Sequence, residues 1–299
     1  MVENKKGIPV YVYALAAMLF WGMSFVWSSI LLQFYQPVSI IFIRLILSSC
    51  FLFLLLFLFK VKQKILKSDY LLLFCSALFN PFFYFLGENY GLKYTTSTVT
   101  SVIIATIPVF SPVAAWLTFR ERLSLLNLAG IFISFIGVLI MLLKTDFSLV
   151  VDPKGIFFLS GAVLSAIVYT VLLKKLSLRY SPLTLIAAQN LIGVFLFMPL
   201  FFLLDFHQFI TVVPTMSIIS SFLFLAILAS SLSYVFFAQT IKMVGISKAN
   251  VFTNLIPVVT AVFSYFILVE YFSPLKILGI LIVISGVYIS EINSKRIDQ

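Results

Sequence analysis

Charged side chains are scarce in this chain. They make up 10% of its 299 residues, whereas soluble proteins usually carry about a quarter. Hydrophobic residues instead account for 62% of the chain, and the mean hydropathy is +1.17. This composition excludes a soluble globular domain and indicates a protein that resides in lipid.

Histidine and cysteine are nearly absent as well. The chain has one histidine, His207, and two cysteines, Cys50 and Cys75, which form no CxxC pair. The HExxH, GxSxG and phosphate-binding P-loop motifs are missing, so the sequence predicts neither an enzyme, nor a metal site, nor a cofactor. We expect His207 to be a solvated loop residue and the cysteines to be small buried apolar groups.

Long stretches of the chain carry almost no charge. Residues 10–59 contain only Arg44, and residues 181–241 contain only Asp205 and His207. A bilayer is spanned by about 20 helical residues, so each stretch holds two crossings. The apolar runs are continuous rather than alternating, which favours an all-α polytopic membrane protein over a β-barrel. Cutting the chain at charge clusters and turn residues predicts ten transmembrane helices, near residues 10–32, 38–59, 70–92, 96–119, 124–143, 155–174, 182–204, 217–241, 248–269 and 274–291.

The distribution of basic residues predicts the topology. With the N-terminus inside, 15 of the 20 Lys and Arg residues lie on the cytoplasmic side. Arg44 lies within a span, and the outer side receives only Lys93, Lys144, Lys154 and Lys276. The positive-inside rule therefore places both termini in the cytoplasm of a plasma membrane, most simply a bacterial inner membrane. The net charge of +10 follows from this topology, and basic residues scattered over several loops do not indicate nucleic-acid binding. The first span is too long for a signal peptide and is expected to be retained.

The chain also repeats itself with an offset of 149 residues. Ile107-Pro108-Val109, Glu121, Gly130 and Gly137 recur as Ile256-Pro257-Val258, Glu270, Gly279 and Gly286. We therefore expect two modules of five helices, at residues 1–148 and 149–299. Five is an odd number, so the second module must enter the membrane in the opposite orientation. Such an inverted repeat is typical of carriers that work by alternating access around a midplane site.

These residues resemble a known family. The resemblance rests on Phe20-Trp21-Gly22-Met23-Ser24-Phe25, on Pro37 followed by Arg44, and on the series Pro108, Glu121, Gly130 and Gly137. In this order, with ten spans and a duplication, they are similar to the EamA-type transporters of the drug/metabolite transporter superfamily. The resemblance implies a ten-helix carrier of small metabolites, often an exporter, with a central cavity between its halves.

Two equivalent helix faces are candidates for lining such a cavity. The fourth span places small residues and an aromatic residue on one face, namely Ser101, Ala105, Pro108, Pro112 and Trp116. The 149-shifted face carries Asn250, Asn254, Pro257, Ala261 and Tyr265. Close packing of helices would also favour small residues, so packing is the alternative. Pro108 and Pro257 each remove a backbone hydrogen bond and are candidate hinges.

The third span carries an ionisable residue. Glu88 shares a helix face with Asn80 and Tyr84, and an ionisable group inside a span usually faces an interior or a partner. Arg44 lies at a similar depth and is the candidate partner. The favoured interpretation of Glu88 is a structural ion pair or snorkelling toward the interface, and proton coupling is the alternative.

Trp21 and Ser24 of the first span and Tyr169 of the sixth complete the expected substrate-binding set. Glu121 and Glu270 are expected to stabilise the starts of the helices that follow them. The faces with Gly130, Ser134 and Gly137, and with Gly279 and Gly286, are expected to pack closely, with a homodimer contact as one use.

A lipid or amphiphile translocase and a channel stay open as alternative functions. The expected partners are a small-molecule substrate and the bilayer; substrate identity, direction and coupling ion are left open.

Overall fold

A computed structural model describes residues 7–110, 125–142, 151–244, 249 and 252–292. Every regular element within these ranges is helical. The helices before residue 150 are α1 (Gly7–Leu32), α2 (Pro37–Leu58), α3 (Tyr70–Ala77), α4 (Tyr84–Lys93), α5 (Ser97–Ile104) and α6 (Leu125–Leu142). Those after it are α7 (Pro153–Ser177), α8 (Pro182–Leu200), α9 (Phe206–Phe209), α10 (Met216–Phe224), α11 (Ser233–Val244), α12 (Leu255–Ile267) and α13 (Pro274–Ile292).

Some neighbouring helices follow one another without a loop and form rods, of which the α3–α4 rod is kinked at Asn80. Wide π-helical turns join α3 to α4 at Leu78–Phe83, α8 to α9 at Phe201–Asp205 and α10 to α11 at Leu225–Leu232. Within the described ranges, six stretches are therefore long and apolar enough to cross a membrane. They are Val10–Leu32, Pro37–Leu58, Lys67–Lys93, Pro153–Ser177, Pro182–Phe209 and Met216–Met243.

The all-α prediction and the positions of these six spans are confirmed to within a few residues at each end, except that the seventh extends to Phe209. Four shorter apolar helices, Ser97–Phe110, Leu128–Leu142, Phe252–Ile267 and Pro274–Gly286, lie within the other predicted spans. Because parts of those spans lie outside the described residues, the count of ten and the inverted repeat stay predictions.

Local sequence explains where the helices begin. Proline is the first residue of α2, α7 and α8, where its missing N–H costs nothing. The hydroxyl of Thr96 accepts a hydrogen bond from the backbone N–H of Val99 at the start of α5. The Asp152 carboxylate caps α7, and the hydroxyls of Ser181 and Thr215 cap α8 and α10 in the same way.

Irregular backbone, called a break below, occurs at three places in the described residues, and a proline follows each. Asn80 has extended backbone angles (φ −146°, ψ 116°) before Pro81, in keeping with the restriction that proline places on the preceding residue. Turn residues 105–106 separate α5 from a further helical turn that contains Pro108. The 3₁₀ turn Phe252–Asn254 precedes α12, whose third residue is Pro257. Pro108 and Pro257 thus lie in first turns after a break; their hinge role is untested.

The glycine faces of α6 and α13 pack against each other within the chain. A Cβ atom built on Gly279 would lie 2.7 Å from the carbonyl oxygen of Gly137, and one on Gly286 would lie 2.5 Å from the backbone nitrogen of Ser134. The close-packing expectation is therefore confirmed within the chain, and the homodimer contact stays a prediction.

Two smaller expectations need correction. Cys50 is exposed and Cys75 is partly exposed rather than buried. The outer surface of a membrane-spanning helix faces lipid, so a small apolar thiol is tolerated there. His207 is exposed, as expected, although it lies in the short helix α9 rather than in a loop.

Glu270 contacts the starts of two helices, the following helix α13, as expected, and also α5. Its carboxylate accepts hydrogen bonds from the hydroxyl (2.9 Å) and backbone N–H (3.4 Å) of Thr98, in the first turn of α5, and pairs with Lys276 in the first turn of α13. Glu270 follows α12, so it ties α5 to the loop between α12 and α13. Glu121, its 149-shifted counterpart, lies outside the described residues.

Gly279→Ala should destabilise the protein by about 1–3 kcal/mol, because the new methyl group would meet the rigid backbone of α6. Gly161→Ala in α7 is the matched control, since a Cβ there meets no atom within 4 Å. We expect the control to be neutral or stabilising by about 0.5–1 kcal/mol. Melting temperatures in detergent measure both, and equal effects of the two variants would contradict the packing.

Glu270→Gln should lower stability by about 3 kcal/mol at neutral pH, because it leaves the buried Lys276 ammonium without its anion. Burial acts to raise the pKa of Glu270, but hydrogen bonds from Lys276, Thr96 and Thr98 outweigh it, so the pKa lies below the usual 4.5. A depressed pKa gives stability that is present above 4.5 and lost as the pH falls through the folded-state pKa.

The difference in melting temperature between the wild type and Glu270→Gln should therefore shrink in acid. Arg179→Gln removes an ion pair whose arginine side chain is 62% exposed. The buried Asp69 keeps the hydroxyl of Tyr180 as a donor, so the change should cost less than about 1 kcal/mol. A difference for Glu270→Gln that stayed constant from neutral to acid pH would contradict this role of the carboxylate.

Candidate functional site

A cavity of about 110 Å³ lies between helices from both sides of residue 149. Its walls come from α1, α2, the α3–α4 rod, α5, α7, α11 and the segment around the start of α12. An apolar cavity of roughly 150 Å³ holds benzene, and this smaller cavity suits a solute of only a few non-hydrogen atoms. Six of the predicted binding residues line it: Trp21, Ser24, Asn80, Tyr84, Glu88 and Tyr169.

Four other predicted residues have different positions. Ser101 is fully buried and donates its hydroxyl to the carbonyl of Thr98, so it serves packing. Asn254 lies in the turn before α12 but does not line the cavity. Tyr265 is 58% exposed, since it lies nine residues, about 13 Å, along α12 from Ile256, which does line the cavity. Asn250, like Pro112 and Trp116, lies outside the described residues.

Of the two candidate hinges, Pro108 lines the cavity and Pro257 is buried beside Ile256. Tyr234, Thr170 and Thr253 are lining residues that the sequence interpretation missed. A signal for Tyr234 exists in the sequence, because it ends a cluster of hydroxyl residues, Ser230, Ser231 and Ser233, in the middle of a predicted span.

Arg44 is held rigidly at the cavity wall. The side chain is 2% exposed, and its Nε donates a hydrogen bond of 2.8 Å to the hydroxyl of Ser230. The guanidinium carbon lies 4.2 Å from the centre of the Phe85 ring, within the range of a cation–π contact. The buried Nη1 atom has no hydrogen-bond partner. Arginine presents its N–H groups as a planar fork that matches a carboxylate.

A chain of buried hydrogen bonds supports Ser230. The side-chain amide of Asn190 donates to the carbonyl oxygen of Ser230 (3.1 Å) and to the hydroxyl of Ser48 (2.7 Å). The hydroxyls of Ser48 and Ser231 lie 2.6 Å apart. The network joins α2, α8 and the π-helical turn before α11, so the orientation of Arg44 depends on three segments.

Glu88 lies at the same cavity, but it does not pair with Arg44. It is 6% exposed, and its Oε2 atom has no hydrogen-bond partner. Side-chain ion pairs within 4.0 Å in the described parts of the chain are Arg179–Asp69 and Lys276–Glu270. The expected salt bridge with Arg44 is therefore absent, because Ser230 and Phe85 hold the guanidinium, and burial excludes snorkelling of Glu88.

Aromatic side chains form much of the remaining wall, and hydrogen bonds fix several of them. The indole N–H of Trp21 donates to the carbonyl of Ala229 (3.2 Å), and its ring lies 5.0 Å from the Tyr234 ring and 5.0 Å from the Phe237 ring. The Asn80 amide donates to the Tyr234 hydroxyl (3.3 Å), and the Tyr169 hydroxyl donates to Gln189 (3.2 Å). A mostly apolar cavity with a few fixed polar groups is typical of a small-molecule site.

Ser230→Ala should destabilise the protein by about 2 kcal/mol, because it removes the partner of a buried charged donor, Arg44 Nε. Ser160→Ala in α7 is the control, since that hydroxyl is exposed and bonds only to a carbonyl of its own helix. The control should change stability by less than about 0.5 kcal/mol. Urea or thermal unfolding in detergent compares them, and a neutral Ser230→Ala would contradict the network.

Comparisons with known proteins agree with a membrane transport protein. The sequence model of a family described as the EamA-like transporter family matches residues 8–143 and again residues 153–291. An uncharacterized transporter of Archaeoglobus fulgidus is 31% identical over 279 residues, which cover 91% of this chain and 94% of the relative. The uncharacterized transporter YetK of Bacillus subtilis is 27% identical and covers 98% of this chain and 90% of its own length.

A solved structure titled "Crystal structure of protein" has a similar fold. It superposes with a TM-score of 0.69 over 97% of this chain and 99% of the other, at 14% sequence identity. An identity this low shows the fold alone. The overall helical arrangement is therefore shared by a protein of very different sequence.

Proposed function

Because this chain belongs to the EamA-like transporter family, we propose that it is a secondary carrier that moves a small organic metabolite out of the cell by alternating access. The observation that carries the proposal is the cavity, which is lined by helices from both matched segments and contains fixed polar groups between aromatic walls. The family and the relatives are named as transporters rather than enzymes.

The proposed architecture is a pair of inverted five-helix repeats. In its support, the family model matches the chain twice, and prolines offset by 149 residues, Pro108 and Pro257, each follow a helix break. Glu270 of the second segment holds Thr98 of the first. Contacts of this kind between segments could form and break as the two halves rock against each other.

We place the protein in the plasma membrane with both termini in the cytoplasm. The support is the excess of Lys and Arg in the loops assigned to the inside. A cavity with convergent polar side chains favours a carrier over a channel, which would need a charged ring or a carbonyl-lined filter along an open pore. Lipid scrambling by protein-containing vesicles would instead indicate the amphiphile translocase.

Alternating access predicts that the cavity is reached from both faces of the membrane while no continuous pore exists. In a variant whose Cys50 and Cys75 are replaced by alanine, Thr170→Cys places one thiol on the cavity wall. We expect a membrane-impermeant methanethiosulfonate reagent to modify it when added to either face of oriented vesicles. Planar bilayers in potassium chloride should show no channel currents.

Leu164→Cys on the same helix is the matched control. That side chain is exposed on the outside of the protein, where lipid keeps a thiol from forming the reactive thiolate. It should stay unmodified. Reaction of Thr170→Cys from one face alone would contradict alternating access, and stepwise ion currents would establish a channel instead.

A further inference from the structure

Two loops that are far apart in the sequence meet at one end of the helix bundle. Residues 59–66 connect the second span to the third, and residues 178–181 connect the sixth span to the seventh. The backbone N–H of Leu66 donates a hydrogen bond of 3.1 Å to the Tyr180 hydroxyl. A second hydrogen bond, of 2.6 Å, joins the backbone of the second loop to the side chain of Gln63. The two loops therefore form one surface, which the ends of four spans surround.

This loop surface carries a large excess of positive charge. Residues 59–71 and 174–182 contain seven Lys and Arg residues and one acidic residue, Asp69. Asp69 is buried, and its two carboxylate oxygens accept hydrogen bonds from Arg179 (2.8 Å) and from the Tyr180 hydroxyl (2.6 Å). All seven cations are exposed, namely the four lysines of residues 60–67 with Lys174, Lys175 and Arg179. A surplus of six positive charges, seven cations less one carboxylate, thus faces outward.

Exposed apolar side chains border the cations. Phe57 and Leu58, which end α2, are exposed, and so are Leu71 in the first turn of α3 and Leu178 in the second loop. At the end of a membrane span such side chains lie among acyl chains. Lysine side chains extend along apolar surface and place their ammonium groups at the level of the lipid headgroups. The surface thus offers cations to a headgroup and apolar side chains to its acyl chains.

We propose that this loop surface, formed by residues 59–71 and 174–182, binds anionic phospholipid. The phosphate-bearing headgroup meets the cations, and the acyl chains meet the apolar border. Bound lipid bridges cations of both loops, which belong to the two segments that the family model matches. The proposal goes beyond the transport function, because it needs neither the cavity nor alternating access.

The position of the charge favours a lipid over a soluble anion. Clusters of about four to eight basic residues directly beside a transmembrane span are typical of binding to anionic headgroups. The cations repel one another, and the carboxylate of Asp69 is already bound by Arg179 and Tyr180, so a bound anion relieves that repulsion. A free phosphate would meet the cations alone, whereas a phospholipid also covers the exposed apolar border.

The test compares lipids that differ in headgroup charge. Purified protein in an uncharged detergent is titrated with dioleoyl phosphatidylglycerol or dioleoyl phosphatidylcholine, and the rise in melting temperature reports binding. We expect the anionic lipid to act at a concentration at least about tenfold lower than the zwitterionic lipid. Sodium chloride at about 1 M should remove most of this difference, because salt screens exposed charges. Glycerol phosphate and soluble poly-glutamate should cause no rise.

A matched pair of double variants locates the site. Lys64→Gln with Lys175→Gln removes one cation from each part of the surface, and should weaken the anionic lipid by at least about tenfold while leaving phosphatidylcholine unchanged. Lys93→Gln with Lys154→Gln is the control, since both lysines are exposed at the opposite ends of the spans that adjoin Lys64 and Lys175. It should leave both lipids unchanged. All four side chains are exposed, so both variants should melt like the wild type in lipid-free detergent.

Equal effects of the two lipids on the wild type would overturn the proposal, as would equal losses in the two double variants. A rise caused by glycerol phosphate would replace the lipid with a free phosphate, and a rise caused by poly-glutamate alone would replace it with an acidic protein partner. Both results reject a lipid surface. None of these outcomes involves the cavity, so the transport function stands or falls separately, on the labelling of Thr170→Cys.

Discussion

The structure depends on one constraint: in the interior of a membrane, each backbone and side-chain polar group must find its partner within the protein. Most hydroxyls meet it locally, as when Thr240 donates to the carbonyl four residues before it. Others bridge helices, as when Thr260 of α12 donates to the carbonyl of Gly22 in α1. Seven buried side-chain atoms in the described residues have no partner, and those of Arg44 and Glu88 belong to residues that line the same cavity.

Close contact between backbones is the second means of holding the helices together. Lipid tails are as apolar as leucine, so burial alone gives little drive for association, and small residues allow backbones to approach. The pairing of Gly137 with Gly279 joins α6 to α13 in this way, and a Cβ on Gly87 would lie 2.6 Å from the carbonyl of Phe158 in α7. The Gly87 contact fixes two helices of the cavity wall, and the Gly137–Gly279 contact fixes two helices outside it. Neither adds polar groups that would need partners.

The helices could be predicted well from the sequence, because a helix needs about 20 apolar residues to cross the bilayer and runs of that length are visible in the hydropathy. The cavity could be predicted less completely. Trp21, Asn80 and Glu88 could be found because polar or aromatic residues in a span are rare, whereas Tyr265 shares the periodicity of a lining face but lies too far along α12. Periodicity predicts the direction in which a side chain points around the helix axis. It does not predict which part of the helix lies beside the cavity.

The predicted salt bridge between Arg44 and Glu88 is wrong for a related reason. Similar depth made Glu88 the natural partner, but the hydroxyl that binds Arg44 belongs to Ser230, 186 residues further along the chain. Such a contact depends on how α2 meets the π-helical turn before α11. A single sequence carries no record of that geometry, although the cluster of serines there does indicate a polar position.

The helix breaks and the cavity are one feature of the fold. Asn80, Pro108 and Thr253 each lie at or beside a break, and all three line the cavity. A broken helix frees carbonyl groups that lipid cannot satisfy, so a break is tolerated where protein or a cavity receives them. Ser165 of α7 does this for the carbonyl of Phe79, directly before Asn80, with a hydrogen bond of 2.6 Å. The prolines therefore do more than bend helices, because the irregular backbone before them must face the interior, and this places polar side chains around one central space.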